Sequence, residues 1–225
     1  MPDFAVILPA AGKAVRFGGN KNKLLYELRG ETVLRRSIHA FLTRGDVAQI
    51  VLPMSDESMI NHVTEGHRDD RICSAHGGAS RAQSVWNALK VIREDIDWVA
   101  VHDAARPLIS QGLIDSTLRT AAQFGAAAPA LAVALTIKEA KGPLPAKVLR
   151  TVPRQNLWAM QTPQIARRVD LLAAFESCPI PLEDVTDDVQ LLELAGKDVC
   201  LVPGDERNLK ITTQLDLRVA ELLMG

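Results

Sequence analysis

Short apolar runs alternate with amphipathic stretches along almost the whole chain. FAVILPA (4–10) reads as a buried strand, and TVLRRSIHAFLTR (32–44) as a helix carrying Val33, Leu34, Ile38, Phe41 and Leu42 on one face, with Thr32 as its cap. VAQIVLPM (47–54) is a second strand, SDESMINHVTE a helix capped by Ser55, and RICSAHG (71–77) a third strand. SRAQSVWNALKVI (80–92) is a helix opened by Ser80, and DWVAVHDA (97–104) is strand again. SQGLIDSTLRTAAQFG (110–125) is a helix that Gly125 ends, because glycine tolerates the left-handed conformation of a C-cap. AAAPALAVALTIKEA then returns to strand. Such β-α alternation predicts an α/β fold, with a mostly parallel central sheet flanked by helices on both faces.

The rhythm changes between about residues 133 and 155. VALTIKEA and KVLRTV are strand-like pieces around the turn-rich KGPLP, so a protruding β-hairpin arm is expected there. Beyond it, IARRVDLLAAFESC and TDDVQLLELAG read as helices, the second ended by Gly196, and DVCLVPG as a late strand. The closing TTQLDLRVAELLMG is an amphipathic helix with Thr213 and Asp216 spaced as a capping box.

Length and composition narrow the class. The 225 residues suit one domain with a sizeable core, spanning 1–225, and 47% hydrophobic with 24% charged residues is ordinary for a soluble globular protein. A net charge of -1 argues against a nucleic-acid binder, so any cationic site must be local. Cys73, Cys178 and Cys200 lie far apart with no C-x-x-C, which fits a reducing cytoplasm. The uncharged stretch 120–137 is just long enough to span a bilayer, but Gln123, Gly125 and Pro129 interrupt it, and a helix end followed by a buried strand is the better reading. The N-terminus carries no signal-peptide pattern, so no membrane association is expected.

Against that nearly neutral background, ILPAAGKAVRFGGNKNKLL places Lys13, Arg16, Lys21 and Lys23 directly after the first strand. A glycine-bearing loop at the carboxyl end of a strand is where α/β folds bind ligands. Gly12, Gly18 and Gly19 let backbone amides turn toward an anion, and Arg16 and Lys23 add fixed charge suited to a triphosphate. Neither G-x-G-x-x-G nor G-x-x-x-x-G-K-[ST] is present, and the alternative is a solvated basic loop. In VHDAARP a strongly apolar strand delivers Asp103 at its carboxyl end, placed either to hold Mg²⁺ or to cap the turn and pair with Arg106. HGGASRAQSVWNAL sets Gly77 and Gly78 before a helix bearing Ser80, Arg81 and Ser84, a base or ribose pocket or an ordinary capped helix. Lys210 lies beside Asn208 before the last helix, where a lysine is usually solvated, and the five histidines show no metal spacing.

Taken in order, LPAAGxxxRFG, GGxxRxxSV, VHDAARP, TVPRxxLWxxQTPQ, TDD and NLKIT resemble the 2-C-methyl-D-erythritol 4-phosphate cytidylyltransferase family, from about Phe4 to Leu222. The resemblance implies a Rossmann-like nucleotidyltransferase fold that joins CTP to methylerythritol phosphate in non-mevalonate isoprenoid biosynthesis, with Mg²⁺ as cofactor. It implies that Arg16, Lys23, Asp103 and Lys210 are catalytic, with Asp103 the metal ligand. Ala10, Ala11, Gly12, Gly77, Gly78 and Ser84 correspond to the cytidine pocket, with Arg81, Ala104 and Thr186 among the binding residues. Arg106 resembles a substrate-side cation, and Thr136 and Arg154 match the base of an arm (about 133–155) that crosses a homodimer interface. Ala14, Asn22, Gln214 and the Asp187-Asp188-Val189 stretch depart from the family pattern, and Lys21 competes with Lys23 for the clamp position. A cytidylyltransferase for ribitol phosphate or another polyol phosphate, or an inactive nucleotide-binding regulatory protein, are the alternatives.

Overall fold

The protein is described from a computed structural model, in which residues 1–11, 22–54 and 69–225 are described. The chain begins with β1 (Phe4–Ile7), which is buried end to end. After a single 3-10 turn at Lys23–Leu25 come the short hairpin β2 (Glu27–Leu28) and β3 (Glu31–Thr32), then α1 (Val33–Leu42) and β4 (Val47–Met54). Next are β5 (Ile72–His76), α2 (Arg81–Leu89), β6 (Trp98–Val101), α3 (Gln111–Phe124) and β7 (Ala126–Ala132). The hairpin β8 (Ile137–Ala140) and β9 (Val148–Val152) precedes β10 (Trp158–Met160), β11 (Gln164–Arg167) and α4 (Arg168–Glu176). The chain closes with α5 (Asp188–Leu194), β12 (Cys200–Pro203) and α6 (Gln214–Leu223).

Among the described residues, one large sheet runs β12-β7-β11-β6-β1-β4-β5, with β10 continuing beside β7 ahead of β11. β1 pairs in parallel with both β4 and β6, so the strand order reverses about β1. Ligands of open α/β sheets bind at such a switch point, outside the carboxyl ends of the strands. β1 itself displays why the sheet is covered on both faces. Phe4 and Val6 enter one core layer with Leu34, Phe41 and Leu118, whereas Ala5 and Ile7 enter the other with Val85, Leu89 and Phe175. A strand buried on both faces reads as an unbroken apolar run.

Side-chain caps fix the helix starts. Thr32, Ser80, Ser110 and Asp187 each accept a hydrogen bond from a backbone amide three residues on, and Gly125 ends α3 at φ +98°.

Two departures from the sequence pattern matter. IARRVDLLAAFESC was expected to be one helix, but Gln164–Arg167 form β11, antiparallel to β6 and β7, and the helix starts at Arg168. Ile165 and Ala166 are buried on opposite faces of the sheet, a pattern that short apolar stretches share with helices. β10 was not anticipated as an element at all; its pairing with Ala130–Ala132 comes from a partner distant in sequence. The expected helix in SDESMINHVTE lies outside the described residues. The stretch 126–132 is β7 within the main sheet, and among the described residues no helix is long and apolar enough to cross a membrane.

β8 and β9 pair antiparallel, with Ile137 opposite Val152, in a sheet of their own. Leu144 at the hairpin tip is 87% exposed, and Val148 and Leu149 also face solvent.

The capping box of α6 is complete. Thr213 accepts from the Asp216 amide, and the Asp216 carboxylate accepts from the Thr212 and Thr213 amides and the Thr212 hydroxyl. Burial would raise this carboxyl, but those hydrogen bonds outweigh it and hold its pKa below the usual range. Asp216→Ala should therefore lower stability by about 1 kcal/mol near neutral pH. A depressed folded-state pKa contributes stability above the unfolded value, so the difference should fade as pH falls below about 4. Urea denaturation of both proteins across pH 3–7 checks this.

Candidate active site

A cleft of about 520 Å³ opens beyond the carboxyl ends of β1, β5 and β6, lined by Pro9, Ala11, Lys23, Leu24, Gly78–Arg81, Ser84, Asp103–Ala105 and Lys210. Its floor is the Asp103 carboxylate, which is 8% exposed. Oδ2 of Asp103 receives Lys210 Nζ at 3.0 Å and Arg106 Nε at 3.2 Å, and Oδ1 faces Arg81 Nε at 3.4 Å. Burial alone would raise the Asp103 carboxyl; the positive charges of Arg81, Lys210 and Arg106 overwhelm it and hold the group far below the ordinary carboxylate range. Arg81 is shared, since its second guanidinium nitrogen lies 2.8 Å from Asp188 Oδ2. Burial would lower Arg81, yet Asp188 and Asp103 hold its pKa above the ordinary value.

The turn carrying Asp103 is fixed by neighbours that its own sequence does not announce. His102 is fully buried, and burial pushes its imidazole down to about 4, so it is neutral. One ring nitrogen, Nε2, lies 3.1 Å from the Arg106 carbonyl, which can only accept; Nε2 therefore carries the proton. Nδ1 then accepts from the Thr162 hydroxyl at 3.0 Å, and Thr162 Oγ1 accepts from the Asp103 amide at 3.0 Å. Asn208, completely buried, donates to the Thr162 carbonyl and accepts from Arg106 through its own carbonyl. The Ile211 amide donates to Ala105, and Lys23 Nζ donates to the Ile211 carbonyl at 2.9 Å. Three segments distant in sequence are thereby laced together, and Lys210 has to face Asp103. Lys210, in a place where a lysine is usually solvated, is in an ion pair with Asp103.

Of the residues singled out in the sequence, Lys23, Asp103, Lys210, Ala11, Gly78, Arg81, Ser84 and Ala104 line one cleft. Ala10 is buried behind it, and Arg106 is buried beneath, paired to Asp103. Of the two readings of Asp103, the pairing with Arg106 is present, and the carboxylate also faces the cleft. Gly12, Arg16 and Lys21 lie outside the described residues. Thr136, Arg154 and Thr186 are exposed and do not line the cleft; Arg154 donates to the Ala134 carbonyl, and Thr186 to Gln190. His102, Thr162, Asn208 and Asp188 were not singled out from sequence. All four do stand in quoted motifs, His102 in VHDAARP, Thr162 in QTPQ, Asp188 in TDD and Asn208 in NLKIT, the one available signal.

The two glycines before α2 have a packing reason independent of any ligand. A Cβ on Gly78 would lie 2.4 Å from Gln83 Cγ, and one on Gly77 2.7 Å from Ala11 Cβ. Ser84 is 2% exposed and uses its hydroxyl to accept from the Gly78 amide and donate to the Ser80 carbonyl.

One carboxylate ringed by cations, at the switch point of a mostly parallel sheet, defines an α/β protein whose cleft is suited to a polyanion. The comparisons make the class specific. The model of the 2-C-methyl-D-erythritol 4-phosphate cytidylyltransferase family matches residues 4–225. The enzyme of that name from Symbiobacterium thermophilum is 39% identical, over 98% of this chain and 92% of its own length. The one from Bacillus pumilus is 36% identical, over 98% of this chain and 96% of its own. The crystal structure of the Francisella tularensis 2-C-methyl-D-erythritol 4-phosphate cytidylyltransferase superposes with a TM-score of 0.84 at 32% identity, covering 98% of this chain and 99% of that one. The chain belongs to the 2-C-methyl-D-erythritol 4-phosphate cytidylyltransferase family.

The packing at Gly78 yields a direct test. Gly78→Ala forces Gln83 and the start of α2 to shift, and should cost about 1–3 kcal/mol of stability. Chemical denaturation of the purified variant measures it; an unchanged midpoint would remove the steric reason for the glycine.

Proposed function

We propose that this chain joins CTP to 2-C-methyl-D-erythritol 4-phosphate, giving CDP-methylerythritol and pyrophosphate. Beside the family membership, one observation carries the reading: Lys23, Arg81 and Lys210 converge with Asp103 on a single cleft. A phosphate oxygen of the acceptor bonds to the α-phosphorus of CTP as the bond to the β-phosphate breaks, and pyrophosphate leaves with the electron pair. A phosphate monoester is largely dianionic at neutral pH, so the attack requires no strong base. The barrier is the mutual repulsion of two polyanions, and fixed cations aimed at the reacting phosphorus lower it by electrostatic preorganisation. Lys210 and Lys23 enter the cleft from segments far apart in sequence, and the Lys23–Ile211 hydrogen bond joins them into one clamp. Arg16, beside Lys23 in the sequence, is assigned to the same triphosphate by the family resemblance.

Mg²⁺ is proposed as cofactor, with Asp103 as its protein ligand. The donor set is compatible: Asp103 is the carboxylate among the described residues lining the cleft, and its Oδ1 meets Arg81 only at 3.4 Å. Among the described residues no cluster of three or more His, Cys, Asp or Glu offers an all-protein cage. A single carboxylate suits Mg²⁺, which takes its other ligands from substrate phosphates and water. Bound there, the ion would neutralise charge building on the phosphates.

Thr136 and Arg154 lie away from the cleft of their own chain, which agrees with arms exchanged across a homodimer. The exposed apolar residues Leu135, Val148, Leu149 and Trp158 on and beside the arm favour such a contact. A cytoplasmic site of action is proposed with it, the three cysteines being free thiols.

Pyrophosphate release with CTP, Mg²⁺ and methylerythritol phosphate tests the assignment; a panel of polyol phosphates, ribitol phosphate included, should turn over far more slowly. Lys23→Ala and Lys210→Ala should each lower kcat by on the order of 10²–10³, the size of one preorganised charge contact. Near-normal turnover in both would remove their roles. Chelation with EDTA should abolish wild-type activity, and excess Mg²⁺ should restore it but should not rescue Asp103→Asn; turnover persisting in EDTA would overturn the metal's part.

A further inference from the structure

We propose that Asp188 is a positioning residue that holds the Arg81 guanidinium between two carboxylates and so limits how tightly the cleft grips polyanions. Asp188 is the first residue of α5, yet it is not the cap: Asp187 fills that place by accepting from the Gln190 amide at 3.0 Å. The Asp188 side chain is 3% exposed and meets Arg81 at 2.8 Å, closer than Arg81 meets Asp103.

Its backbone is also locked. Gln164 Oε1 accepts from the Asp188 and Val189 amides at 2.8 and 3.0 Å, while Gln164 Nε2 donates to Asp187 at 2.9 Å. Gln164 belongs to β11 and sits opposite Val101 of β6, the strand that delivers Asp103. The two carboxylates are therefore set from adjacent strands, with Arg81 spanning the gap.

Stability alone gives this arrangement little return. A buried ion pair contributes little net stability, because desolvation offsets the attraction, and replacement by apolar groups is often neutral. Among the described residues Asp188 Oδ1 has no hydrogen-bond partner, which adds to the cost. Burial pushes the Asp188 carboxyl up against the pull of Arg81, a further sign that the site is expensive to maintain.

The return is electrostatic. Arg81 lines the cleft, and a cation tethered on its far side cannot swing onto a bound phosphate. Without Asp188 the cleft gains one net positive charge and a freed guanidinium. Both would tighten ground-state binding of triphosphate and pyrophosphate alike, and uniform tightening slows release without lowering the chemical barrier.

The inference deepens the cytidylyl-transfer reading and rests on it, but its principal readout does not. Inorganic pyrophosphate binding is measured by calorimetry on the full chain without acceptor, for wild type, Asp188→Asn and Asp188→Glu, alongside kcat, KM for CTP and melting temperature. Asp188→Asn should bind pyrophosphate at least about fivefold tighter and turn over more slowly by about the same factor, with KM for CTP unchanged or lower. Asp188→Glu, which keeps the charge, should lie nearer wild type on both. Unchanged or weaker pyrophosphate binding in Asp188→Asn overturns the proposal, as does a kcat within about threefold of wild type. Should Asp188→Asn fail to melt cooperatively, Asp188→Ser carries the same expectations. A wild type that binds pyrophosphate but releases none from CTP and methylerythritol phosphate would instead refute the reaction itself.

Discussion

The arrangement of the active end depends on one buried carboxylate. Asp103 is nearly inaccessible yet ionised, because Arg81, Arg106 and Lys210 surround it, each from a different part of the chain or a different side of the turn. A lone carboxylate in that position would protonate, and three cations without it would repel one another. Each side makes the other tolerable. The cluster is also more positive than negative, so the cleft keeps an attraction for phosphates that the protein as a whole, at net charge -1, does not have.

What keeps the cluster in place is a second set of contacts that carry no net charge. The His102 ring, the Thr162 hydroxyl and the Asn208 amide are buried and pass hydrogen bonds between the turn after β6, the turn before β11 and the segment before α6. The pairing leaves little freedom in the tautomer of His102 or in the rotor of Thr162, while Asn208 Oδ1 is buried with no hydrogen-bond partner among the described residues. A neutral histidine next to Asp103 also adds no further charge to a crowded site. This uncharged lacing supplies the geometry of the ion pairs.

Glycines at the mouth of the cleft show how readily a packing requirement resembles a binding one. Gly77 and Gly78 were read as part of either a base or ribose pocket or an ordinary capped helix; Gly78 does line the cleft, but at both positions neighbouring atoms already fill the space a side chain would need. Ser84 likewise spends its hydroxyl on the loop's own backbone. These residues shape the pocket by closing the protein around it, which is compatible with a ligand's presence but is not caused by it.

Most of the scaffold was legible in the sequence because it depends on local chemistry. Apolar runs, caps at Thr32, Ser80 and Thr213, and the stop at Gly125 act over a few residues, so their periodicity and spacing identify the elements. The ordered motifs also carried the family. Tertiary structure decided the rest: that Gln164–Arg167 extend as a strand, that Lys210 pairs with Asp103, and that Asp188 shares Arg81. Strand pairing and buried ion pairs are formed by groups that lie up to 107 residues apart, as in Arg81 and Asp188. No local pattern records such partners, because the energy that selects them exists only once folding has excluded water between them.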